Sequence, residues 1–218
     1  MKKHKSLELL LPKPVERYVH KQTSPESRLL RELERETHET TQYPQMLTGR
    51  VEGRLLKMLV HISGARKVLE IGTFTGYSAL LMAEGLPDHG ELITCEISRQ
   101  CAAVARKYFK RSPHGHKIRL RPGPAMKTIQ KIPDESIDFV FIDADKPSYP
   151  RYYDESVRIL KRGGIIAADN ALWNGQVLDP VDEDSRAIAL FNSKVKSDRR
   201  VEKVLLTVRD GVYLIRKK

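Results

Sequence analysis

Two short apolar runs in this chain break abruptly into hard oxygen donors. They are Phe141-Ile142-Asp143-Ala144-Asp145-Lys146 and, about 25 residues later, Ile165-Ile166-Ala167-Ala168-Asp169-Asn170. Runs of this kind are typical of strands buried in a parallel sheet. If the two strands are neighbours, Asp143, Asp169 and Asn170 converge at the sheet's carboxyl edge, where open α/β folds bind ligands. Two carboxylates and one amide oxygen make a partial shell for a divalent cation: Mg²⁺ first, with Mn²⁺ and Ca²⁺ also suited to oxygen donors. Lys146, three residues after Asp143, is spaced either to accept a proton beside that cation or to act only as an electrostatic aid.

A second constellation precedes these. Val68-Leu69-Glu70-Ile71-Gly72-Thr73-Phe74-Thr75-Gly76-Tyr77-Ser78 runs from a strand, through two glycines, into a helix. Glycine at such a turn lets backbone approach a ligand closely. The spacing is not the Gly-x-Gly-x-x-Gly that seats a pyrophosphate. Glu70, just before the turn, would repel phosphate but can accept hydrogen bonds from a cationic amino-acid moiety. Leu92-Ile93-Thr94-Cys95-Glu96 ends in another acid, about 20 residues beyond the glycines, where a carboxylate suits a ribose diol. A ligand with ribose and positive charge but no phosphate is S-adenosylmethionine.

The elements that must position these residues alternate. Strands are predicted at 66–71, 91–96, 117–121, 137–142 and 164–168, with helices near 76–85, 98–111, 124–131 and 150–160. That order implies a right-handed, mostly parallel sheet covered on both faces. A further helix is predicted over 184–197. Val201–Arg209 and Val212–Arg216, joined at Asp210-Gly211, read as an antiparallel hairpin. Residues 1–63 read as helical, with a helix start at Ser24-Pro25-Glu26 and Leu29, Leu30 and Leu33 on one face. A second amphipathic run from Arg50 to Ile62 turns Val51, Leu55, Met58, Leu59 and Ile62 inward. The whole, 1–218, is expected to form one domain: a helical cap (1–63) on an α/β core (64–218).

Bulk properties narrow the class. The chain has 218 residues, 40% hydrophobic and 31% charged, enough for a substantial core. No apolar stretch approaches the roughly 20 residues of a membrane span, and Leu9-Leu10-Leu11 before Pro12 is too short for a signal-peptide core. A cytoplasmic location without a membrane partner is expected. Cys95 and Cys101 match no zinc or redox spacing and read as small core hydrophobes. Net charge is +11, and Ile97 to Pro133 holds ten Lys or Arg and no acid. Such a block suits a polyanion, whether nucleic acid or the phosphates of a coenzyme A ester, or is simply a solvated basic surface. His114 and His116 lack a third ligand nearby and read as exposed; Arg50 and Arg54 read as surface residues.

Taken together, His4-Lys5-Ser6-Leu7, the Glu70–Ser78 segment, Gly123-Pro124-Ala125, the Asp143–Lys146 segment and Asp169-Asn170-Ala171-Leu172-Trp173-Asn174-Gly175 resemble the cation-dependent class I O-methyltransferases of the caffeoyl-CoA and catechol type. The resemblance implies a Rossmann-like seven-stranded methyltransferase fold and a homodimer. It assigns Asp143, Asp169 and Asn170 to the metal and Lys146 to catalysis. It assigns Thr48, Glu70, Gly72, Thr73, Ser78, Glu96, Ala125 and Asp145 to the cofactor, although Asp145 alternatively caps its turn. Lys5 and Asn174 fall on substrate-side positions, and Trp173 either packs substrate or belongs to the core. Glu96 stands where the plant enzymes carry Asp, the segment from Gln130 to Asp138 is shorter than theirs, and His114-Gly115-His116 occupies a loop without a clear counterpart. The implied reaction is methyl transfer to a catechol-like hydroxyl, on a small aromatic diol or its CoA ester. A hydroxylated tRNA base is the second choice of acceptor.

Overall fold

The structure, a computed structural model, describes residues 12–218. Three helices come first: α1 (Lys13–Gln22), α2 (Arg28–Thr40) and α3 (Gly49–Ile62). Strands and helices then alternate through β1 (Lys67–Ile71), α4 (Tyr77–Gly85), β2 (Glu91–Glu96), α5 (Arg99–Arg111), β3 (Ile118–Pro122), α6 (Ala125–Ile129), β4 (Ile137–Ile142), α7 (Tyr149–Ile159) and β5 (Leu160–Ala168). Helix α8 (Glu183–Ser197) leads into β6 (Val201–Leu206) and β7 (Val212–Lys217).

The seven strands form one sheet in the order β3-β2-β1-β4-β5-β7-β6. Neighbours from β3 to β5 pair in parallel, whereas β7 pairs antiparallel with both β5 and β6. The expected seven-stranded α/β fold with an antiparallel C-terminal hairpin is therefore present. Strand order reverses between β1 and β4, the kind of switch point at which open α/β sheets bind ligands.

Side-chain alternation explains why both faces are covered. Leu69, Ile71, Val140, Ile142 and Ile166 pack on one face with Ile129, Tyr153, Val157 and Phe191. Val68, Phe139, Phe141 and Ala167 pack on the other with Leu33, Leu56, Leu81 and Phe109. Phe191 meets Tyr149 and Tyr153 edge-on at 5.5 and 5.8 Å, each contact contributing roughly 0.5–1.5 kcal/mol beyond burial.

Four local expectations are corrected. Helix α2 starts at Arg28, where the Ser27 hydroxyl accepts from Leu30 N at 3.3 Å, and not at Pro25. The segment before it stays non-helical because Arg50 and Arg54 donate to the carbonyls of Thr23, Ser24 and Pro25, so these arginines staple the chain instead of only facing water. Strand β5 begins at Leu160, four residues early, because Gly163 (φ +81°) lets the Lys161-Arg162-Gly163-Gly164 run stay in the sheet as an irregularity. Helix α3 is rotated from its expected face. Glu52, Gly53, Leu56 and Val60 are buried, while Met58 and Ile62 are exposed. Gly53 permits this, since a Cβ there would lie 2.4 Å from Leu81 Cδ1.

Candidate active site

Both acid-bearing loops lie at the carboxyl ends of adjacent strands. Ile142 of β4 is in register with Ala168 of β5, so Asp143 and Asp169 leave the sheet side by side. Asp143 N donates to Ile71 O at 2.9 Å and Asp169 N to Ile142 O at 3.0 Å, which prolongs the ladder up to these residues. Lys146 is buried, and its Nζ donates to Asp143 Oδ1 at 3.2 Å, Asn170 Oδ1 at 2.7 Å and Tyr149 OH at 2.8 Å. The carboxylate of Asp143 and the amide oxygen of Asn170 thus aim at one cationic point. Asp169 is buried beside them, and its Oδ1 accepts from Asn170 N at 2.7 Å. Burial first, and then the like charge of Asp143, pushes the Asp169 carboxyl up to about 7.

The donor chemistry fits a hard divalent cation: two carboxylates, one amide oxygen, and a site that already gathers a positive charge. Among the described residues, no three His, Cys, Asp or Glu side chains gather as a cage, so an ion here would rely on the Asn170 amide to complete the set.

The loop after β5 is held in uncommon backbone states. Asn170, Trp173 and Asn174 have φ of +58°, +45° and +50°. Each such non-glycine residue costs roughly 1–2 kcal/mol, and strain of this kind concentrates at working sites. The turn between β6 and β7 secures it: Ala171 N and Leu172 N donate to the carbonyls of Gly211 and Asp210 at 2.9 Å. Asn174 N donates to Asp210 Oδ1 at 2.6 Å. The Trp173 ring stands 5.5 Å from Lys146 Nζ and also packs against the core, while the Asn174 side chain is exposed. Lys5 lies outside the described residues.

The glycine turn flanks this cluster across the switch point. Gly72 has φ +100°, and a Cβ on it would sit 1.8 Å from Asp143 O. Its space is therefore taken by the strand end that carries Asp143, a packing demand that the sequence pattern attributed to a ligand. Glu70 is fully buried; its Oε1 accepts from Ser78 Oγ at 2.6 Å and its Oε2 from Thr94 Oγ1. Burial pushes its carboxyl up to about 8. Thr73 shares a hydroxyl contact with Thr94, and Thr48 is buried at the start of α3. Glu96 accepts from Phe74 N at 2.6 Å and Ser98 N at 2.8 Å, which orients the carboxylate and leaves lone pairs for a further donor. Ala125 opens α6 and is nearly buried. Asp145 is exposed and makes no side-chain cap; its Oδ1 accepts instead from Tyr152 OH at 2.6 Å.

Three residues near the site escaped sequence reasoning. Tyr149 is fully buried with its hydroxyl on Lys146; its place one helical turn after the lysine was the available signal. Glu52 and Arg209 pair at 3.2 Å, and nothing in their local sequence marks them.

Elsewhere, the basic stretch is partly consumed internally. Lys107, Arg111 and Arg119 pair with Glu36, Glu32 and Glu91, and buried Lys117 donates to Leu86 O at 2.7 Å. Arg121, Lys127 and Lys131 join Lys67 along a groove of about 710 Å³ beside α6. His116 is exposed and His114 half-buried. Burial pushes the Cys95 thiol up to about 11, as expected of a core residue. No helix among the described residues is long and apolar enough to cross a membrane.

Comparison with known proteins agrees with the geometry. A family model described as O-methyltransferase matches residues 20–218. A probable caffeoyl-CoA O-methyltransferase 2 of Dictyostelium discoideum is 39% identical over 194 residues, covering 86% of this chain and 84% of the relative. Caffeoyl-CoA O-methyltransferase 1 of Zea mays is 37% identical over 185 residues, covering 79% and 72%. The crystal structure of an O-methyltransferase from Bacillus cereus in complex with SAH superposes with a TM-score of 0.87 at 31% identity, covering 94% of this chain and 97% of that one. An SAH-bound methyltransferase from Podospora anserina gives 0.86 at 28% identity, covering 97% and 100%. With a sheet ending in that hairpin, acid-bearing loops at its switch point and a family match over nearly its whole length, the chain belongs to the O-methyltransferase family.

Proposed function

We propose that this enzyme is an S-adenosylmethionine- and divalent-cation-dependent O-methyltransferase acting on a catechol-like aromatic hydroxyl, on a small diol or a caffeoyl-CoA-type ester. The observation that carries this is the convergence of Asp143 Oδ1 and Asn170 Oδ1 on Lys146 Nζ, with Asp169 buried alongside. SAH-bound structural neighbours and caffeoyl-CoA-type relatives support it. A cytoplasmic homodimer is part of the same proposal.

A phenol with a pKa near 10 costs about 4 kcal/mol to ionise at pH 7, at 1.36 kcal/mol per unit. Asp143, Asp169 and Asn170 would hold the cation, which when bound stabilises the phenolate and fixes the diol. Lys146 Nζ receives the hydroxyl proton. With Asp143 and Asn170 engaged elsewhere, Tyr149 OH remains the contact that holds its Nζ in place for that role. Tyr149 OH in turn donates to Asp169 O at 3.2 Å, which fixes where the amine points.

Across the switch point, Glu70 is a buried acid whose charged form lacks a positive partner, and the amino group of S-adenosylmethionine would supply one. Glu96 would accept from its ribose, and Thr48, Gly72, Thr73, Ser78, Ala125 and Asp145 complete the cofactor set. Trp173, Asn174 and Lys5 are the acceptor-side residues. In-line transfer then depends chiefly on alignment.

The test incubates the protein with labelled S-adenosylmethionine and Mg²⁺ against catechols, caffeate, caffeoyl-CoA and bulk tRNA. Label on a vicinal diol that is abolished by EDTA supports the proposal; full activity in EDTA refutes the cation's role. A tRNA acceptor is the second candidate, favoured by the basic groove lined by Lys67, Arg121, Lys127 and Lys131. Label on tRNA alone, with affinity falling steeply as salt rises, would promote it.

A further inference from the structure

Glu52 has no place in the chemistry described so far, yet it is fully buried, one helical turn after Thr48. Burying a carboxylate is costly unless something compensates it. Its Oε2 accepts from Arg209 Nη1 at 3.2 Å, while its buried Oε1 has no hydrogen-bond partner among the described residues. Burial first, and then the neighbouring charge of Asp169, pushes the Glu52 carboxyl well above the usual carboxylate range. Arg209 also donates to Leu47 O at 3.1 Å and is held at φ +49°, in the turn whose Asp210 and Gly211 secure the 170–174 loop.

The local charge count is unbalanced. Glu52, Asp143 and Asp169, with half-buried Asp210 beside them, face Lys146 and Arg209, so acids outnumber bases in this cluster. A dication between Asp143, Asp169 and Asn170 would offset that imbalance. Glu52 stands outside the direct ligand set, since these three acids form no cage of their own among the described residues.

We propose that Glu52, held by Arg209, is a positioning residue for the cation: it backs Asp169 from the side of α3, adds negative potential at the site and ties the Thr48 end of the cofactor pocket to the metal loop. Outer carboxylates and hydrogen-bond partners of metal ligands typically govern affinity by 10–100-fold. This inference rests on the cation site proposed above and adds a residue to it.

The experiment measures Mn²⁺ binding by electron paramagnetic resonance and SAH binding by calorimetry, on full-length wild type, Glu52→Gln and Glu52→Met. Both variants remove the charge at nearly constant volume, and the Arg209 side chain, about a third exposed, can turn to water. The expected result is a Kd for Mn²⁺ weakened at least about tenfold, with the Kd for SAH unchanged within about twofold. A purely structural role would move both constants together or lower thermal stability without splitting them. Wild-type Mn²⁺ affinity in either folded variant overturns the role of Glu52 while leaving the cation site standing. Absence of Mn²⁺ binding by the wild type overturns both.

Discussion

Gly72→Ala is the sharpest test of how the two halves of the site are joined. The glycine sits at φ +100°, outside even the left-handed pocket that other residues tolerate, and a Cβ would lie 1.8 Å from Asp143 O and 2.7 Å from its carbonyl carbon. Both neighbours are backbone at the end of a central strand, so no rotamer change relieves the clash. The unfavourable dihedral costs about 1–2 kcal/mol, and overpacking against atoms that cannot yield adds about 1–3 kcal/mol. A loss of about 2–5 kcal/mol is expected, which for a chain of this size lowers Tm by roughly 4–20 °C. Gly64→Ala is the control: that glycine also has positive φ (+64°) but meets nothing within 4 Å, so it reports the dihedral cost alone. Paired urea titrations and thermal scans of the two variants isolate the clash. If Gly72→Ala is no worse than Gly64→Ala, the Asp143 carbonyl does not occupy that space, and the Gly72 turn and the Asp143 strand end do not pack as one unit.

Other outcomes follow from the same geometry. Lys146→Met should lower kcat by at least about a hundredfold, the usual scale for a general base, while Mn²⁺ affinity holds or rises because a positive charge has left the site; unchanged turnover would remove the proton-acceptor role. Asp143→Ala should abolish cation-dependent transfer without unfolding the protein, as judged by circular dichroism with activity measured in parallel. The Glu70 carboxyl lies at about 8 in the ligand-free fold against an ordinary 4.5, so the folded state binds the extra proton between those values and stability falls as pH rises through that window. Glu70→Gln should flatten this decline, by a few kcal/mol between pH 5 and pH 8 in urea titrations; a slope equal to wild type would show that Glu70 does not carry it.

Legibility in the sequence tracked how local each cause was. Short apolar runs marked the central strands because parallel strands buried on both faces show their burial directly in composition. Strand β5 was shortened in prediction because Gly163-Gly164 looks like a turn, whereas its extension is set by pairing with Ile137, a partner over 20 residues away. The start of α2 was misplaced for the same reason: Ser24-Pro25 has good local start chemistry, and it is Arg50 and Arg54, from the next helix, that hold the segment open.

Site residues divide along the same line. The meeting of Asp143, Asp169 and Asn170 was legible because each follows a strand end, and topology brings strand ends together whatever the loops do. Glu52 was not, because an acid on an amphipathic helix is ordinarily assigned to solvent, and the stripe of Val51, Leu55, Met58 and Ile62 offered a plausible apolar face instead. Gly53 decides the matter: without a side chain it lets α3 press against Tyr77 and Leu81 of α4, and that rotation carries Glu52 inward while leaving Met58 and Ile62 in water. A Gly53→Ala change meets Leu81 Cδ1 at 2.4 Å and Tyr77 Cε1 at 3.1 Å. It should therefore push α3 outward and weaken Mn²⁺ binding through Glu52. Mn²⁺ affinity that stays at the wild-type value in a folded Gly53→Ala protein would separate helix packing from the metal site and refute that chain of causes.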